Sequence, residues 1–507
     1  MSLAACAALY FSGCRTLGPD YVEPELTWLE SWETDLYGSF GAPVAQEDVD
    51  LEYWWHLFKD PKLNELIELA RAENPSLRIA GLRILESRAT LGIADSLRYP
   101  QVQQASGAAA YNNTQQTDTD EEQSFSSYNT GLAVGWEMDF WGKFQRGIES
   151  ADAAFFTSIA NQRDAQVLLS AQVADAYFAY RTSVLRIKIA NSNADIQKRS
   201  YDITEKLFKS GQQSELDLQQ AKTQYLATLS TIPDLELTLY QVRNALCALL
   251  GRPPGELPEL ANLPEELPTL TETKVKAIPA QILLRRPDVR SAAWQVAAQS
   301  PQIGAAEADL YPSISLFGSI GFAGNTLDNT EDTVSLGVGP SFTWNIFDYG
   351  RIKNNVRVQD ARLQIAIEAF QNVLLGAARE MDDAALSVIK TREKQVPLGQ
   401  SLISARRSLE LANRNYKEGY ADFQRVLDAQ RSVASQSEQE LINTGKQISA
   451  VVDFYRAIGG GWLPDSVEEM LPEATREGME ARSDWGDLIQ APLPAAQLPN
   501  GEDVIHE

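Results

Sequence analysis

The sequence predicts an α+β membrane protein that is built from two structural repeats, each with a pair of strands and very long helices. Three observations lead to this fold class. Trp, Gly and Pro residues recur at fixed separations, stretches of apolar and polar alternation precede each long helical region, and Ala-rich segments run for tens of residues without proline. With 507 residues, of which 44% are hydrophobic, the chain can form a substantial core.

The internal repeat is the strongest of these signals. Trp136 lies 208 residues before Trp344, and the same separation relates four further pairs: Gly142 and Gly350, Gly211 and Gly419, Ala221 and Ala429, and Gly251 and Gly459. Upstream, a separation of 212 residues relates Pro75 and Pro287, Gly92 and Gly304, and Pro100 and Pro312. Four extra residues therefore lie between Pro100 and Trp136, in a segment with a polar loop, and loops tolerate such differences.

Alternating apolar residues mark the strands. In "GLAVGWEMDFWGKF", residues 131–144, one side of an extended chain carries Leu132, Val134 and Trp136, and the other carries Glu137. The stretch "SLGVGPSFTWNIFDYG" repeats the pattern in the second half of the chain. Strands of about ten residues with one apolar and one polar face are typical of membrane-spanning barrels. A soluble hairpin with one wet face would share the pattern.

The first strand, "VQQASGAAAYNN", has the weakest alternation, and we expect Gln104 and Ser106 on its outer face. Two strands in each repeat give four per chain, and four strands cannot close a barrel because backbone groups at the open edges would face lipid unpaired. Several chains must therefore combine. Two chains would give eight strands and three would give twelve, and the larger barrel is the one that leaves an aqueous lumen of useful width.

The helical regions are unusually long. Residues 142–211 contain no proline, and one helix of that length would extend roughly 100 Å. Residues 211–251, with a proline at position 233, would return about 60 Å, and residues 279–310 about 45 Å. The two ascending pieces together match the descending one. We therefore expect a helical hairpin whose return segment is split in two.

Charge and composition exclude several classes of function. The formal net charge of −25 argues against an attraction to nucleic acid. The two histidines, His56 and His506, are far apart in sequence and no P-loop glycine motif occurs, so we expect neither an enzyme nor a metal or cofactor site. No run of eighteen apolar residues is present, so membrane residence would depend on strands or on an attached lipid.

The two ends of the chain differ from the rest. "MSLAACAALYFSGC" places Ser12 and Gly13 before Cys14, as in a lipoprotein signal. Residues 1–13 are therefore predicted to be a signal-sequence remnant, and Cys14 to carry a covalent N-terminal lipid. The alternative is an ordinary N-terminus that contains a Cys. Residues 464–507 are rich in acidic residues, Pro and Ala, and they are predicted to form a disordered tail.

Taken in order, several motifs resemble those of the TolC-like outer-membrane factors, in particular the lipoprotein, NodT- and OprM-like branch that serves resistance-nodulation-division (RND) efflux systems. They extend from residue 14 to about residue 463 and comprise "GPDYVEP" after Cys14, "WWHLFKDPKL", "NPSLRIA", "WEMDFWGK", "GQQSELDLQQA", "GYADFQRVLDAQ" and "GGGW". The resemblance implies a homotrimer. Each chain would give four strands to one twelve-stranded outer-membrane β-barrel that is continuous with a periplasmic α-helical barrel.

The same resemblance implies the domain boundaries. Residues 14–60 would form a lipid-anchored N-terminal segment, residues 61–255 the first outer-membrane-factor repeat, residues 256–278 an equatorial linker and residues 279–463 the second repeat. The protein would lie in the outer membrane, in contact with its lipid, and extend into the periplasm.

The implied function is a passive export duct for small molecules. It would join a periplasmic membrane-fusion adaptor and an inner-membrane RND pump to the cell exterior. An outer-membrane duct for type I protein secretion would use the same fold with a different partner. An alternative from another class is a non-transporting envelope tether, which predicts a continuous heptad pattern and no strand pairs.

Two pairs of candidate site residues lie where the long helices reverse. Such helices can turn at Gly211 and Gly419 with glycine in a left-handed conformation, and these turns would be the periplasmic tips. By resemblance, Asp217 and Tyr416 occupy positions whose contact ties neighbouring hairpins together in the closed state.

The resemblance also assigns a periplasmic gate to the second hairpin. Asp428 falls on the carboxylate that points into the pore at its constriction, with Gln424 beside it. Three symmetry-related carboxylates would hold cations at such a ring, whereas the alternative is an acid that is simply solvated on an exposed helix. Arg425, one turn before Asp428, is expected to pair with it and weaken the negative field.

Aromatic residues cluster where each strand pair meets the following helix. Trp136, Trp141, Trp344 and Tyr349 are predicted to form a girdle at the membrane interface, because Trp and Tyr favour that environment.

Overall fold

A computed structural model describes residues 16–24, 51–116, 121–268, 280–325, 333–464, 466–494 and 499. The predicted signal-sequence remnant, residues 1–13, and Cys14 lie outside the described residues. The described part consists of long helices, one four-stranded sheet and short segments that pack against the helices. In this part of the chain, no helix combines the length and the apolar character needed to cross a membrane.

The helices and strands follow the order of the two repeats. The first repeat contains α1 (Pro61–Glu73), α2 (Pro75–Ser96), β1 (Val102–Gln116), β2 (Glu121–Met138), α3 (Lys143–Lys209) and α4 (Glu215–Leu249). The second contains α5 (Pro287–Ala308), β3 (Ser313–Asn325), β4 (Thr333–Thr343), α6 (Arg351–Lys417) and α7 (Phe423–Ala457). Two short helices follow, α8 (Val467–Met470) and α9 (Glu473–Glu480), and 3₁₀ turns occur at Trp54–Phe58, Pro258–Leu260, Ala280–Arg285 and Gly486–Leu488.

The two repeats correspond residue by residue in their helices. Helices α3 and α6 are both 67 residues long, α4 and α7 are both 35 residues long, and in each pair the bounds are 208 residues apart. Helices α2 and α5 are both 22 residues long and are offset by 212 residues. The predicted repeat is confirmed, and the four extra residues lie between α2 and α3.

The shorter helices are placed end to end in pairs. Asn74, the N-cap of α2, donates a hydrogen bond from Nδ2 to the carbonyl oxygen of Leu249, the last residue of α4, at 2.8 Å. Arg286, before α5, donates from Nη1 to the carbonyl of Ala457, the last residue of α7, at 2.7 Å. These bonds satisfy carbonyl groups that a helix end leaves unpaired. The return segment is split as predicted, but the helix that continues α4 is α2 and not α5, because Asn74 joins the start of α2 to the end of α4.

The four strands form one antiparallel sheet in the order β1-β2-β3-β4. Leu132 of β2 pairs with Ile320 of β3, which pairs with Leu336 of β4. Since directly paired residues share a face, the apolar residues of these strands form one continuous and exposed surface. The opposite face carries small residues such as Ala133 and its partner Ser319. The predicted alternation of β2, β3 and β4 is confirmed.

The expectation for the first strand is wrong. Leu132 pairs with Ala105 of β1, and its neighbour Ala133 pairs with Gln104. Gln104 and, two residues further on, Ser106 therefore lie on the face of small residues, and the odd-numbered residues of β1 continue the outer face. The pattern of Ala, Gly, Ser and Gln in this strand offers too little contrast in hydrophobicity to reveal the register.

The largest hydrophobic core forms where short segments pack against the middle of the long helices. Trp54 stacks on Tyr455 of α7 with ring centroids 5.5 Å apart, and Phe58 contacts Phe178 of α3 at 4.7 Å. Beside these rings, Asp60, the N-cap residue of α1, makes a buried ion pair with Arg181 of α3 at 2.6 Å. The residues before α1 are thus fixed to both repeats.

The acidic tail has defined structure over residues 466–494, so the predicted disorder of residues 464–507 is wrong there. Its few apolar side chains complete a small core with α2 and α3, formed by Ile84, Leu85, Phe155, Ile159, Val467, Leu471, Met479 and Ile489. Arg88 of α2 donates hydrogen bonds to three tail carbonyls, those of Leu488, Ala491 and Pro492. These few apolar side chains and the buried guanidinium group of Arg88 order the tail despite its acidic composition.

Candidate functional site at the hairpin tips

The two hairpin turns have the same geometry. Gly211, after α3, has φ +75°, and its N–H donates to the carbonyl of Phe208 at 2.9 Å. The N–H of Gln212 donates to the carbonyl of Leu207, also at 2.9 Å. Gly419, after α6, has φ +79° and the next residue completes an equivalent pair of bonds. This Schellman arrangement needs a left-handed residue and therefore favours Gly. Both turns lie where the sequence predicts them.

The helices that follow the two turns begin differently. Ser214 is the N-cap of α4: its Oγ accepts from the N–H of Asp217, and its hydroxyl donates to the Asp217 carboxylate. Asp422 is the N-cap of α7 but makes no side-chain capping bond. The residue that matches Asp217 in the second repeat is Arg425, and a positive charge is unfavourable at a helix N-terminus. The start of α4 is therefore better fixed than the start of α7.

Asp217 and Tyr416 lie near each other within one chain. The ring of Tyr416 packs against Phe423 with centroids 5.3 Å apart. Burial and the negative charge of Asp217 raise the pKa of the Tyr416 phenol. The carboxylate of Asp217 accepts hydrogen bonds from Ser214 and Gln213, so it acts on Tyr416 through its charge. The tie between neighbouring hairpins stays a prediction.

Asp428 is exposed on α7, but its ion pair differs from the expected one. Its Oδ1 accepts a hydrogen bond from Gln424 at 3.2 Å and lies 3.4 Å from Nη1 of Arg431. Arg425 was the expected partner, and both arginines are three residues from Asp428. An acid that precedes its base along a helix is the more favourable orientation, which fits the pair with Arg431. Both side chains are more than half exposed, so the pair contributes at most about 1 kcal/mol.

Helices α3 and α7 meet along a line of polar contacts that the sequence analysis missed, and that we call the polar seam. It consists of Gln430 with Ser200 at 2.9 Å, Glu438 with Arg186 at 2.6 Å and Ser449 with Asp175 at 2.8 Å. Such hydrogen bonds contribute about 1 kcal/mol each, and near the tips a small apolar cluster of Ala221, Phe423, Val426 and Leu427 also joins the two hairpins. No sequence signal indicated the polar seam, because Ser, Gln and Glu on a helix normally face water.

The four interface aromatics lie at the junction of sheet and helices. Trp141 and Trp344 each donate from Nε1 to a backbone carbonyl in the connection between α5 and β3. Trp136 belongs to the apolar face of β2, and Tyr349 is fully exposed. Their contact with lipid stays a prediction.

Comparison with known proteins decides the family. A family model described as "Outer membrane efflux protein" matches residues 66–252 and 278–460, which are the two repeats. The chain belongs to the outer membrane efflux protein family. Its strand pairs and long helices are the shared features of both matched regions.

The chain is similar to individual efflux proteins over most of its length. It is 30% identical to the "Cation efflux system protein CusC" of Escherichia coli O6:H1 over 471 residues, which cover 91% of this chain and 98% of CusC. It is 31% identical to the "Solvent efflux pump outer membrane protein SrpC" of Pseudomonas putida over 484 residues, with the same coverage. The solved structure of the outer-membrane channel OprN matches with a TM-score of 0.79 and 32% identity, covering 88% of this chain and 99% of OprN.

These relationships confirm the resemblance and the predicted fold class, in which four strands per chain contribute to a trimeric outer-membrane β-barrel continued by a helical barrel. The protein lies in the outer membrane and extends into the periplasm. Membership of a family of efflux channels also confirms that it is not an enzyme. The tether hypothesis required a chain without strand pairs, and the four-stranded sheet contradicts it.

Proposed function

We propose that this chain is the outer-membrane duct of a tripartite RND efflux system, through which small molecules pass without chemical change. The observation that supports this most directly is the continuity of strands and helices. Strand β2 ends at Met138 and α3 begins at Lys143, and β4 ends at Thr343 and α6 begins at Arg351. The wall formed by the strands thus continues into helices of 67 residues, or roughly 100 Å.

Three chains would close this wall into a tube. In the described sheet, β1 and β4 are each paired on one side only, and an unpaired strand edge is unfavourable in lipid. Pairing of β4 in one chain with β1 in the next would give twelve strands for three chains. The face that carries Gln104, Ala133 and Ser319 would line the lumen, and its small side chains would leave the lumen open.

The helices offer a surface for the same assembly. Helix α6 exposes apolar side chains along its length, namely Val358, Ile365, Leu375, Val396 and Ile403. A row of this kind is suited to burial against another helix. In a homotrimer, a neighbouring chain would cover it.

The gate would lie at the tips, on the second hairpin. The start of α7 has no side-chain cap. It contacts the first hairpin through the polar seam and through a small apolar cluster in which Phe423 and Leu427 pack with Ala221 of α4. Movement of the second hairpin against the first would therefore separate this small cluster as well as the polar contacts. Asp428 in three copies, with Gln424 and Arg425 beside it, would ring the constriction and influence which ions pass.

The hairpin tips would also bind the periplasmic membrane-fusion adaptor. Leu216 at the start of α4 is 66% exposed, and Tyr420 in the second turn is 81% exposed. Exposed apolar side chains at the ends of projecting hairpins are suited to a protein interface. Because the sequence has no P-loop, the energy for export would come from the inner-membrane RND pump.

The names of the relatives favour transport of small molecules over protein secretion. CusC is named for cation efflux and SrpC for solvent efflux. Cations and solvents have little chemistry in common, so a duct of this family would gain substrate selectivity from its pump. The duct would supply the route through the outer membrane.

We also propose that Cys14 carries the lipid anchor. The segment that follows it is fixed at the junction of sheet and helices, where the N–H of Leu17 donates to the carbonyl of Trp141 at 3.1 Å. A lipid on Cys14 would therefore start near the aromatic residues expected at the membrane interface. Labelling of cells with palmitate should mark the wild type, and Cys14→Ala should abolish the label.

Reversible locking of the polar seam tests the proposed duct. Deletion of the gene should lower the export of a fluorescent efflux substrate, and the wild-type gene should restore it. A variant with Ser200→Cys and Gln430→Cys, whose native side chains touch across the seam, should restore export when reduced and lose it when the disulfide forms. The single variant Ser200→Cys is the control. Export that is unchanged by deletion, or equal in the reduced and the verified cross-linked states, would contradict the proposal.

A further inference from the structure

A cavity of about 430 Å³ lies where the first strand pair meets the helices. We call it the rim cavity. The end of β2, the start of α3 and the connection between α2 and β1 form its walls. Most of its exposed lining is apolar, from Leu97, Trp136, Met138, Phe140 and Phe144, and the polar part includes Arg98, Glu137, Asp139 and Gln145. The volume lies within the range of roughly 300–1,000 Å³ that is usual for small-ligand pockets. The first repeat therefore contains a mainly apolar space at the edge of the sheet.

The N-terminal segment forms part of this cavity. Thr16 lines it and crosses Gly142 so closely that a Cβ at position 142 would lie 2.6 Å from the Thr16 methyl carbon. The next residue is held on both sides. The N–H of Leu17 donates to the carbonyl of Trp141, and the carbonyl of Leu17 accepts from Nε of Arg146 at 3.0 Å. Thr16 is thus fixed at the wall by backbone contacts.

The distance along the chain brings Cys14 to the same place. Cys14 precedes Thr16 by two residues, a reach of at most about 7 Å even for an extended chain. Trp136, a wall residue, also continues the outward apolar row of Leu132 and Val134 on β2. The cavity therefore adjoins the surface that is expected to contact lipid.

We propose that the rim cavity holds part of an acyl chain of the lipid attached to Cys14. The inference rests on the lipidation of Cys14 proposed above. The apolar lining matches a hydrocarbon chain, and Thr16, two residues after Cys14, lies at the cavity wall. In this arrangement the lipid is a structural part of the barrel rim as well as a membrane anchor.

The second repeat provides a matched position without this segment. Gly350 corresponds to Gly142, and its nearest neighbour at the Cβ position is the amide of Asn354 at 3.7 Å. Ile346 corresponds to Met138 and is 67% exposed. Met138 and Ile346 are therefore equivalent residues, one on the wall of the cavity and one on an open surface.

Photocrosslinking at these two residues tests the proposal. The full-length protein is produced in cells supplied with an alkyne-bearing palmitate analogue, with a benzophenone amino acid at Met138 or, as the control, at Ile346. After irradiation and proteolysis, mass spectrometry identifies the crosslinked partner. We expect residue 138 to crosslink to the lipopeptide that contains Cys14, several-fold more strongly than residue 346. A second probe at Phe144 repeats the test if the first variant folds poorly.

Each other result has a definite meaning. Equal crosslinking of the Cys14 lipid from both positions, or none from residues 138 and 144, would overturn the assignment of the cavity. A crosslink from residue 138 to free phospholipid that persists in Cys14→Ala would show that bilayer lipid fills the cavity instead. Absence of alkyne label from the protein would overturn the lipidation of Cys14, and this inference with it. The duct function is tested separately by export.

Discussion

Arg286 donates from Nη1 to the carbonyl oxygen of Ala457 at 2.7 Å, in the place where Asn74 meets Leu249 in the first repeat. The two helix junctions are thus equivalent in position and different in chemistry. Arg286 also pairs with Asp288 and with a glutamate of α6, whereas the hydrogen bond of Asn74 to Leu249 is neutral. Charge at the second junction should therefore make this part of the fold sensitive to pH.

Asp164 of α3 is the group whose titration should produce this pH dependence. It shares a cavity of about 230 Å³ with Arg286, Asp288, Glu380 and Arg456. Burial, with the negative charge of Asp288 next in importance, raises its pKa to about 6. The folded state then binds the proton more tightly than the unfolded state. Ionisation of Asp164 therefore lowers the free energy of unfolding at pH values above about 6. The free energy of unfolding should rise again as the pH falls from about 6 to about 4.

Asp164→Asn should thus stabilise the protein at neutral pH, and its advantage over the wild type should shrink as the pH falls through that range. Urea unfolding of both proteins at several pH values measures the difference. Glu265→Gln, at an exposed acid, is the control and should show no such trend. A difference between Asp164→Asn and wild type that is constant with pH would contradict the assignment.

Asp60→Asn should strongly destabilise the core around the middle of the helices. Arg181 lies 2.6 Å from the Asp60 carboxylate, both side chains are almost fully buried, and the Tyr177 hydroxyl donates to the same oxygen at 2.8 Å. Removal of one charge leaves the other buried and uncompensated, at a cost of about 3–5 kcal/mol. Thermal and denaturant unfolding measure the loss. Glu265→Gln, in the exposed pair with Lys188, should cost less than about 1 kcal/mol. Equal losses would contradict the role of the buried pair.

The caps of the two tip helices should respond differently to mutation. Ser214→Ala removes a side chain that caps α4 and should cost about 0.5–2 kcal/mol. Asp422→Ala removes a side chain without a capping bond and should cost less. Hydrogen exchange of the first turns of α4 and α7 reports on both. Faster exchange in α7 than in α4 after the matched changes would show that Asp422 is the more important cap.

The charge at Asp428 should affect ion conduction. Asp428→Asn should weaken cation selectivity and block by multivalent cations in single-channel recordings, because the amide keeps the size and removes the charge. Arg431→Ala should strengthen cation selectivity and block by multivalent cations, since Arg431 is the ion-pair partner of Asp428 in the structure. Arg425→Ala should have a smaller effect, as exposed charges are screened over about 8 Å at physiological salt. If none of the three changes alters conduction, Asp428 does not face the pore.

The corrected register of β1 can be tested by chemical accessibility. Ser106→Cys should react with a membrane-impermeant thiol reagent that enters the lumen, because residue 106 shares the face of Gln104. Ala105→Cys, which shares the face of Leu132, should be protected by the bilayer and become reactive in detergent. The reverse order of reactivity would restore the register expected from the sequence alone.

The sequence was most informative where backbone geometry depends on particular residue types. Gly211 and Gly419 mark turns that need positive φ, and Pro75 and Pro287 mark helix starts, so the repeat predicts helix bounds closely. Alternation of large apolar and small residues likewise predicts the faces of β2, β3 and β4. These features are local and repeat themselves along the chain.

Other features depend on contacts between distant segments and could not be predicted. Arg425 and Arg431 are equally spaced from Asp428, and only the folded chain pairs Arg431 with it. The order of the tail depends on Arg88, about 400 residues earlier, and on a few apolar side chains among many acids. The polar seam joins the two hairpins through polar side chains, which on a helix normally face water.

If three chains close one duct, the detergent-extracted protein should have the mass of a trimer. Native mass spectrometry, with circular dichroism on the same sample, measures both the number of chains and the strand content. The open edges of β1 and β4 lead us to expect a trimer and no stable folded monomer. A monodisperse monomer that retains the full β content would contradict closure of the duct by three chains.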